Sequence, residues 1–222
     1  MLDDPGRLLG LLFRSHPWHG VPIGIRAPEV VTCIIEIVPT DRVKYEIDKP
    51  TGYLKVDRPQ LYSNICPAPY GLLPQTYCGS RVGALSSDRT GRPYLQGDGD
   101  PLDVCVLTQT PITHSDLLLQ ARPIGGIRML DGNEADDKII AILEGDGLYG
   151  GWADLSDVPK AVVDRLSHYF ETYKLAPGAT TRPVEITHLF GREEAHAVIH
   201  CAREDYSEKF GPLQKQLADA LA

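Results

Sequence analysis

The sequence predicts an α+β fold, a β-rich body against which helices pack. Three observations carry this. Residues 29–39, "EVVTCIIEIVP", form a near-continuous apolar run; several shorter strand-like runs follow as far as residue 143; and a helical period appears only after about residue 156. Several strands of similar length must hide their edges, which favours a small closed barrel. The 222 residues, 42% of them hydrophobic, suffice for one well-filled core, so a single domain over 1–222 is expected.

The elements follow in order. Residues 1–28 form an irregular, Pro- and Gly-containing N-terminal arm, in which "RSHPWHGVPIG" reads as an extended segment packed on the surface or in an interface. The run at 29–39 is a strand buried on both faces, closed by Pro39, with Glu36 as an anomaly in its midst. "RVKYEID" and "YLKVDR" flank the turn sequence "KPTG", so 42–58 is a β-hairpin. Alternation puts Lys44, Glu46 and Asp48 on one of its faces. Residues 59–97 read as loop-rich, with 76–97 an inserted loop. Strands resume at 103–108, at 117–130 with a bend or bulge at Gly125-Gly126, and at 138–143.

Two helices complete the chain. The first starts after about 156, with Asp157 as N-cap and Pro159 at an early position. Its apolar face is Val158, Val162, Leu166, Tyr169 and Tyr173, and Gly178 is its stop. The second spans roughly 192–209 with Ala195, Val198, Ile199, Ala202 and Tyr206 facing inward. Gly211-Pro212 ends it before a short helical tail.

The bulk numbers exclude several functions. The formal net charge is -8, from 30 acidic and 22 basic side chains, which opposes binding to a nucleic-acid backbone or an anionic membrane. The start, "MLDDPGRLLGLLF", has acids where a signal peptide needs positive charge, and no stretch approaches the length of a membrane span. The five cysteines are odd in number and form no C-x-x-C pair. A cytoplasmic protein is expected.

The chemistry concentrates in "QGDGDPLDVCV", 96–106, which places Asp98, Asp100 and Asp103 within six positions at the mouth of a strand. Like charges so close repel, and something must compensate them. Hard oxygen donors grouped this way suit Mg²⁺. "LDGNEADDK", 130–138, supplies Asp131, Glu134, Asp136 and Asp137 beside another strand, although that segment taken alone also reads as a polar turn.

Three other patterns are decoys. "DGDPLD" opens like an EF-hand loop, but Asp103 stands where that loop needs Gly and Gln109 where it needs Glu. "GDGLYG", 145–150, matches G-x-G-x-x-G, yet "WADLSDVP" follows it rather than a helix. His196 and His200 share a helix face without a third ligand, as a solvated face would.

"DGDPLDV" at 98–104 closely resembles the signature of the soluble (family I) inorganic pyrophosphatases. The family's order is also matched by "IEI" around Glu36, "VKYEID" at 43–48, "VDR" ending at Arg58, and "YG" at 70–71. The Asp131…Asp136-x-Lys138 group and "HYFETYK", ending at Tyr173-Lys174, match as well, so the resemblance covers roughly 29–205. It implies an OB-like five-stranded closed barrel with flanking helices, and Mg²⁺-dependent hydrolysis of pyrophosphate with several ions per site. Carried over by motif, Asp98, Asp100, Asp103, Asp131 and Asp136 hold metal, and Asp100 orients and deprotonates the attacking water. Lys44, Arg58, Lys138, Tyr173 and Lys174 bind phosphate oxygens, with Lys138 and Tyr173 joining Asp100 in catalysis. Glu36 supports a metal through water, and Glu46 and Tyr70 shape the surrounding water network. The segment between Tyr70 and Asp98 is longer than in compact bacterial members, and Gly132 follows Asp131 where some members carry another acid. Bacterial members commonly form hexamers and others dimers, so a homo-oligomer is expected.

Read without the resemblance, Lys44 and Glu46 are a same-face surface pair of little worth, and Tyr173 is a core residue whose hydroxyl can still reach a site. Besides a purely structural Ca²⁺-binding module, which would leave Lys44, Arg58, Lys138 and Lys174 without a purpose, two rival functions stand beside pyrophosphate hydrolysis. One is a Mg²⁺-dependent phosphohydrolase acting on nucleotides or organic phosphates. The other is a non-enzymatic OB-fold binding module, which should show a basic groove with exposed aromatics.

Overall fold

The structure, a computed structural model, describes residues 14–176, 178 and 184–221. The first thirteen residues of the expected N-terminal arm lie outside the described residues.

Ten strands and three helices are present among the described residues. The strands are β1 (Val31–Ile37), β2 (Val43–Ile47), β3 (Leu54–Pro59), β4 (Tyr70–Leu72), β5 (Gln96–Gly97), β6 (Asp103–Leu107), β7 (Leu117–Asp131), β8 (Glu134–Ala135), β9 (Lys138–Leu143) and β10 (Val184–Gly191). The helices are α1 (Ser80–Thr90), α2 (Lys160–Thr172) and α3 (Arg192–Leu221). The chain is therefore α+β and sheet-rich.

Strand pairings run β1–β4–β6–β9–β7 and return from β7 to β1, so five strands close a ring; β10 adds to β7, and β2–β3 forms a separate hairpin. β6 and β9 lie parallel, and the other pairs of the ring are antiparallel. β1 and β4 approach so closely that a Cβ on Gly71 would sit 1.9 Å from the Ile34 carbonyl oxygen, which only glycine avoids.

Alternation along the ring divides the core into two faces. Cys33, Ile35, Val104, Val106, Ile139 and Ala141 cluster with Ala195, Val198, Ile199 and Ala202 of α3. Residues of opposite parity, among them Cys105, Leu107, Ile140 and Ile142, cluster with Val163, Leu166, Tyr169 and Phe170 of α2. Trp18 of the arm is buried beside Ile34, Ile47, Leu72 and Tyr206, so this part of the described arm packs on the body.

Several expectations need correction. The segment expected as an inserted loop at 76–97 contains α1 and β5. The N-terminal N–H groups of α1 are capped from a distance: Asp205 of α3 accepts from Gly79, Arg81 and Val82. Gly91 closes α1 in the left-handed region at φ 68°. Asp157 does not cap α2. It ends a 3₁₀ turn at Leu155–Asp157 that Asp154 caps, and Pro159 precedes the first turn of α2. Val162 is only partly buried, while Val163 and Phe170 complete the apolar face.

Gly211-Pro212 does not end the last helix, because Pro212 lies inside α3. A proline there removes one intrahelical bond, but its fixed φ is helical. The expected bend at Gly125-Gly126 is a register shift between Pro123 and Gly125.

Candidate active site

A cleft of about 330 Å³ opens where the β2–β3 hairpin, the β6 mouth, the β7–β9 connection and the end of α2 meet. It is lined by all thirteen residues that the resemblance singled out: Glu36, Lys44, Glu46, Arg58, Tyr70, Asp98, Asp100, Asp103, Asp131, Asp136, Lys138, Tyr173 and Lys174.

The backbone explains how they converge. In the turn ahead of β6, Gly99 takes φ 79°, and the Asp98 carboxylate accepts the Asp100 N–H at 2.9 Å, so successive aspartates aim at one space. Parallel pairing of β6 and β9 sets Asp103 directly against Lys138, and β4 places Tyr70 beside Cys105. The Tyr70 hydroxyl donates to Asp103 at 2.5 Å. Lys138, 2% exposed, donates to both Asp103 and Asp136. Burial pulls the Lys138 ammonium down, but the two carboxylates outweigh it and hold its pKa well above the ordinary value.

On the hairpin, Lys44 faces Arg58, and the register then shifts so that Tyr45 faces Val56. The extra residue, Asp57, is a bulge, and it turns consecutive side chains of β3 into the cleft. Strand parity could not have fixed the facing of Arg58 for this reason. Lys44 donates to Asp57 at 2.8 Å and to Glu46 at 3.1 Å. Glu36 lies at a register shift in β1 and accepts the Ile47 N–H at 2.7 Å, tying the hairpin to the ring.

Tyr173 follows the last turn of α2 and is buried among Tyr169 and Phe170, as a core tyrosine would be, yet it borders the cleft. The Arg58 guanidinium lies 5.8 Å from its ring centroid and the Lys174 ammonium 5.3 Å. Lys174 also reaches Asp131 at 2.6 Å.

Three charged lining residues were not legible as site residues. Lys49, in the hairpin turn, donates to Asp100; Asp57 sits in the bulge; and Glu134, noted only as part of an acidic turn, borders the cleft. Asp137, from the same acidic turn, points away and is buried against Arg128. Asp146 of "GDGLYG" accepts N–H groups of Tyr149, Gln109 and Leu148, which hold its carboxyl down to about 2 in a turn. His200 is exposed.

Nine carboxylates and five cations line the cleft, a formal surplus of four negative charges. Among the described residues, no three acidic, His or Cys side chains converge as a metal cage, because lysines stand between the carboxylates. The donor set nonetheless fits Mg²⁺: it is all carboxylate, without thiolate or imidazole, and more negative than its own lysines can balance. Burial and the neighbouring Asp136 push the Asp98 carboxyl up to about 8, and burial does the same for Glu36, against the Ile47 hydrogen bond.

These shifts predict a pH dependence for the metal-free protein. A raised folded pKa gives stability that is present below the ordinary carboxylate values of 4.5 and 3.8 and is lost as pH climbs through about 8. His19, lowered by burial from 6.5 to about 4, acts oppositely, but its contribution is complete above 6.5. In EDTA the thermal midpoint should therefore fall from about pH 6.5 to about 8.5, and Mg²⁺ should flatten that slope. A midpoint that rises over this range in EDTA would contradict the charge surplus.

The sequence profile of the inorganic pyrophosphatases matches residues 33–207. The chain is 54% identical over 199 residues to the inorganic pyrophosphatase of Chlamydia muridarum, an overlap of 88% of this chain and 95% of that one. It is 38% identical over 198 residues to soluble inorganic pyrophosphatase 2 of Chlamydomonas reinhardtii, covering 89% and 92%. The crystal structure of inorganic pyrophosphatase from Thermus thermophilus superposes with a TM-score of 0.72 at 28% identity, covering 87% of this chain and 99% of that one. The chain belongs to the inorganic pyrophosphatase family.

Proposed function

We propose that this cleft hydrolyses inorganic pyrophosphate to two phosphates with Mg²⁺ held by Asp98, Asp100, Asp103, Asp131 and Asp136. The observation that carries this reading is the interleaving of surplus carboxylates with five cations in one cleft. Bare carboxylates would repel a polyanion, and bare cations would not need them; a metal-bound polyanion satisfies both sets. Bound Mg²⁺ supplies charge neutralisation and a water of lowered pKa.

The chain's own groups do the rest. Asp100, half-exposed at the mouth, takes the proton of the attacking water. Lys44 and Arg58 on the hairpin, with Lys174 and the Tyr173 hydroxyl at the end of α2, hold phosphate oxygens from two sides. Lys138 and the neutral Tyr70 hydroxyl fix Asp103. Burial and the Asp103 charge keep that hydroxyl protonated. Glu36 and Glu46 order water at the floor and rim.

The five-strand ring is read as an OB-like barrel, and the whole chain as one catalytic domain. The aromatic residues lining the cleft (Tyr70, Tyr169, Phe170 and Tyr173) are all buried, which leaves no exposed ring on which a nucleotide base could stack. All five cysteines are free, which suits a reducing cytoplasm. A homo-oligomer, hexamer or dimer, is the assembly we infer from the resemblance.

The test is phosphate release with Mg²⁺ from pyrophosphate, ATP and p-nitrophenyl phosphate in parallel. Release from pyrophosphate far above the other two is expected, and equal or faster hydrolysis of ATP would overturn the substrate assignment. Lys174→Ala should raise KM for pyrophosphate about tenfold without weakening Mg²⁺ binding, because it removes a cation and frees Asp131. An unchanged kcat/KM would remove Lys174 from the site.

A further inference from the structure

Beneath the cleft lies an ionic cluster that the catalytic reading does not use. Arg128 of β7 is fully buried, and Asp137 is 2% exposed. The guanidinium grips the carboxylate from two sides: Nε donates to Oδ1 at 3.0 Å and to Oδ2 at 3.1 Å, and Nη2 donates to Oδ2 at 2.8 Å. Its Nη1 lies 3.3 Å from Glu194 Oε1 in the first turn of α3, and its Cζ stands 5.2 Å from the Phe190 ring centroid.

The place of this cluster in the chain gives it a role. Asp137 separates Asp136 and Lys138, which both border the cleft, while its own side chain faces the opposite way. Arg128 lies three residues before Asp131 on β7. The guanidinium thus joins the strand that delivers Asp131 to the segment that delivers Asp136 and Lys138. Lys138 is held at the start of β9 by pairing with β6 and β7, and β8 pairs with β5 and β7; between these two strands the Asp136 backbone is fixed by its N–H bond to Met129 at 2.9 Å. Asp98, Asp103 and Asp136 crowd one region with Lys138 between Asp103 and Asp136, and the like charges repel one another.

We propose that Arg128 and Asp137 are positioning residues that hold Asp136 against this repulsion, and with it the Lys138 ammonium that donates to it, in the geometry the cleft needs. The inference rests on the reading that the cleft binds Mg²⁺ and hydrolyses pyrophosphate. A buried ion pair is a poor source of stability, since well-packed apolar residues of similar volume commonly do as well or better. What a two-point guanidinium–carboxylate contact adds is fixed orientation. Orientation of residue 137 passes directly to its neighbours, because consecutive extended residues point to opposite sides.

The test compares Arg128→Met/Asp137→Leu, which removes both members of the pair and leaves Glu194 with Arg89 at 3.7 Å, with the parent. Thermal midpoint, Mg²⁺ affinity by calorimetry without substrate, and kcat and KM for pyrophosphate at saturating Mg²⁺ are measured. The double variant should keep a midpoint near that of the parent. Its Mg²⁺ affinity should fall about tenfold and its kcat about 10- to 100-fold, the usual effect of losing a group that orients a metal ligand. KM should stay within about threefold, because Lys44 and Arg58 sit on the untouched hairpin. Arg128→Lys should fail to restore activity, since an ammonium is a single point of charge without the fork.

A purely structural pair would lower the midpoint and leave kcat and Mg²⁺ affinity of the folded protein unmoved, and that result overturns the proposal. Should the double variant not fold, the near-isosteric Asp137→Asn takes its place with the same readouts, and parent-like affinity and kcat again overturn it. If the parent itself releases no phosphate from pyrophosphate, the functional reading fails. The Mg²⁺ affinities then still decide whether the pair positions the acidic segment.

Discussion

Asp100→Asn should lower pyrophosphate turnover by about two to four orders of magnitude, the range for loss of a general base, in a protein that folds normally. The side chain is 46% exposed and contacts Lys49 at the cleft mouth, so no buried partner depends on its charge. Its backbone N–H donates to Asp98, and its carbonyl accepts the Cys78 N–H at 2.8 Å; asparagine keeps both bonds. An amide cannot take the proton of water, yet its oxygen remains a weak metal ligand. The expected signature is a collapsed kcat with an unchanged melting profile and most Mg²⁺ affinity retained. Steady-state kinetics beside a calorimetric Mg²⁺ titration measures this, and near-parental kcat would remove Asp100 as the base.

Lys138→Met should be the most damaging change to the metal-free protein. The ammonium is buried between Asp103 and Asp136 and is the nearest compensation for both. Removing one partner of a buried charge group costs about 3–5 kcal/mol, because the carboxylates it leaves are largely shielded from water and lose their nearest cation. Methionine fills the space of the stem, so packing loss is small. Divalent ions replace the missing charge, and the deficit measured in EDTA should shrink substantially in Mg²⁺. Turnover should stay about 10²- to 10³-fold low even then, since a fixed donor in the site is gone. Denaturant unfolding with EDTA and with Mg²⁺ separates the two effects. Equal stability of variant and parent in EDTA would mean that Lys138 does not carry the compensation assigned to it.

Legibility in the sequence followed the range of the interactions concerned. β9 at 138–143 and β6 at 103–107 were readable because each is an unbroken apolar run, buried on both sides within the ring. α1 was not readable, because "SRVGALSSDRT" carries few apolar residues and its cap, Asp205, lies more than a hundred residues away. β10 was missed although Val184, Ile186 and Thr187 are strand formers; its signal was obscured by its place between two helices. Pro212 misled because a helix tolerates one lost bond when neighbouring turns are intact.

The site was legible to the extent that its groups sit in short motifs. "DGDPLD" announces an uncompensated charge by itself, and order along the chain added the lysines and tyrosines. Asp57 and the facing of Arg58 required the hairpin bulge, which strand parity does not foretell. Lys49 required knowing how far the hairpin turn reaches over Asp100. The Arg128–Asp137 pair was invisible because nothing local marks Arg128 as the partner of a residue nine positions on.

The most direct test of the whole account is phosphate release from pyrophosphate by the purified protein as Mg²⁺ is raised from zero and then withdrawn with EDTA. Two phosphates per pyrophosphate consumed, rising with Mg²⁺ and abolished by EDTA, is the predicted result. Hydrolysis that continues undiminished in excess EDTA, or a folded protein that releases no phosphate at any Mg²⁺ concentration, would contradict the claim that this acidic cleft works through bound metal.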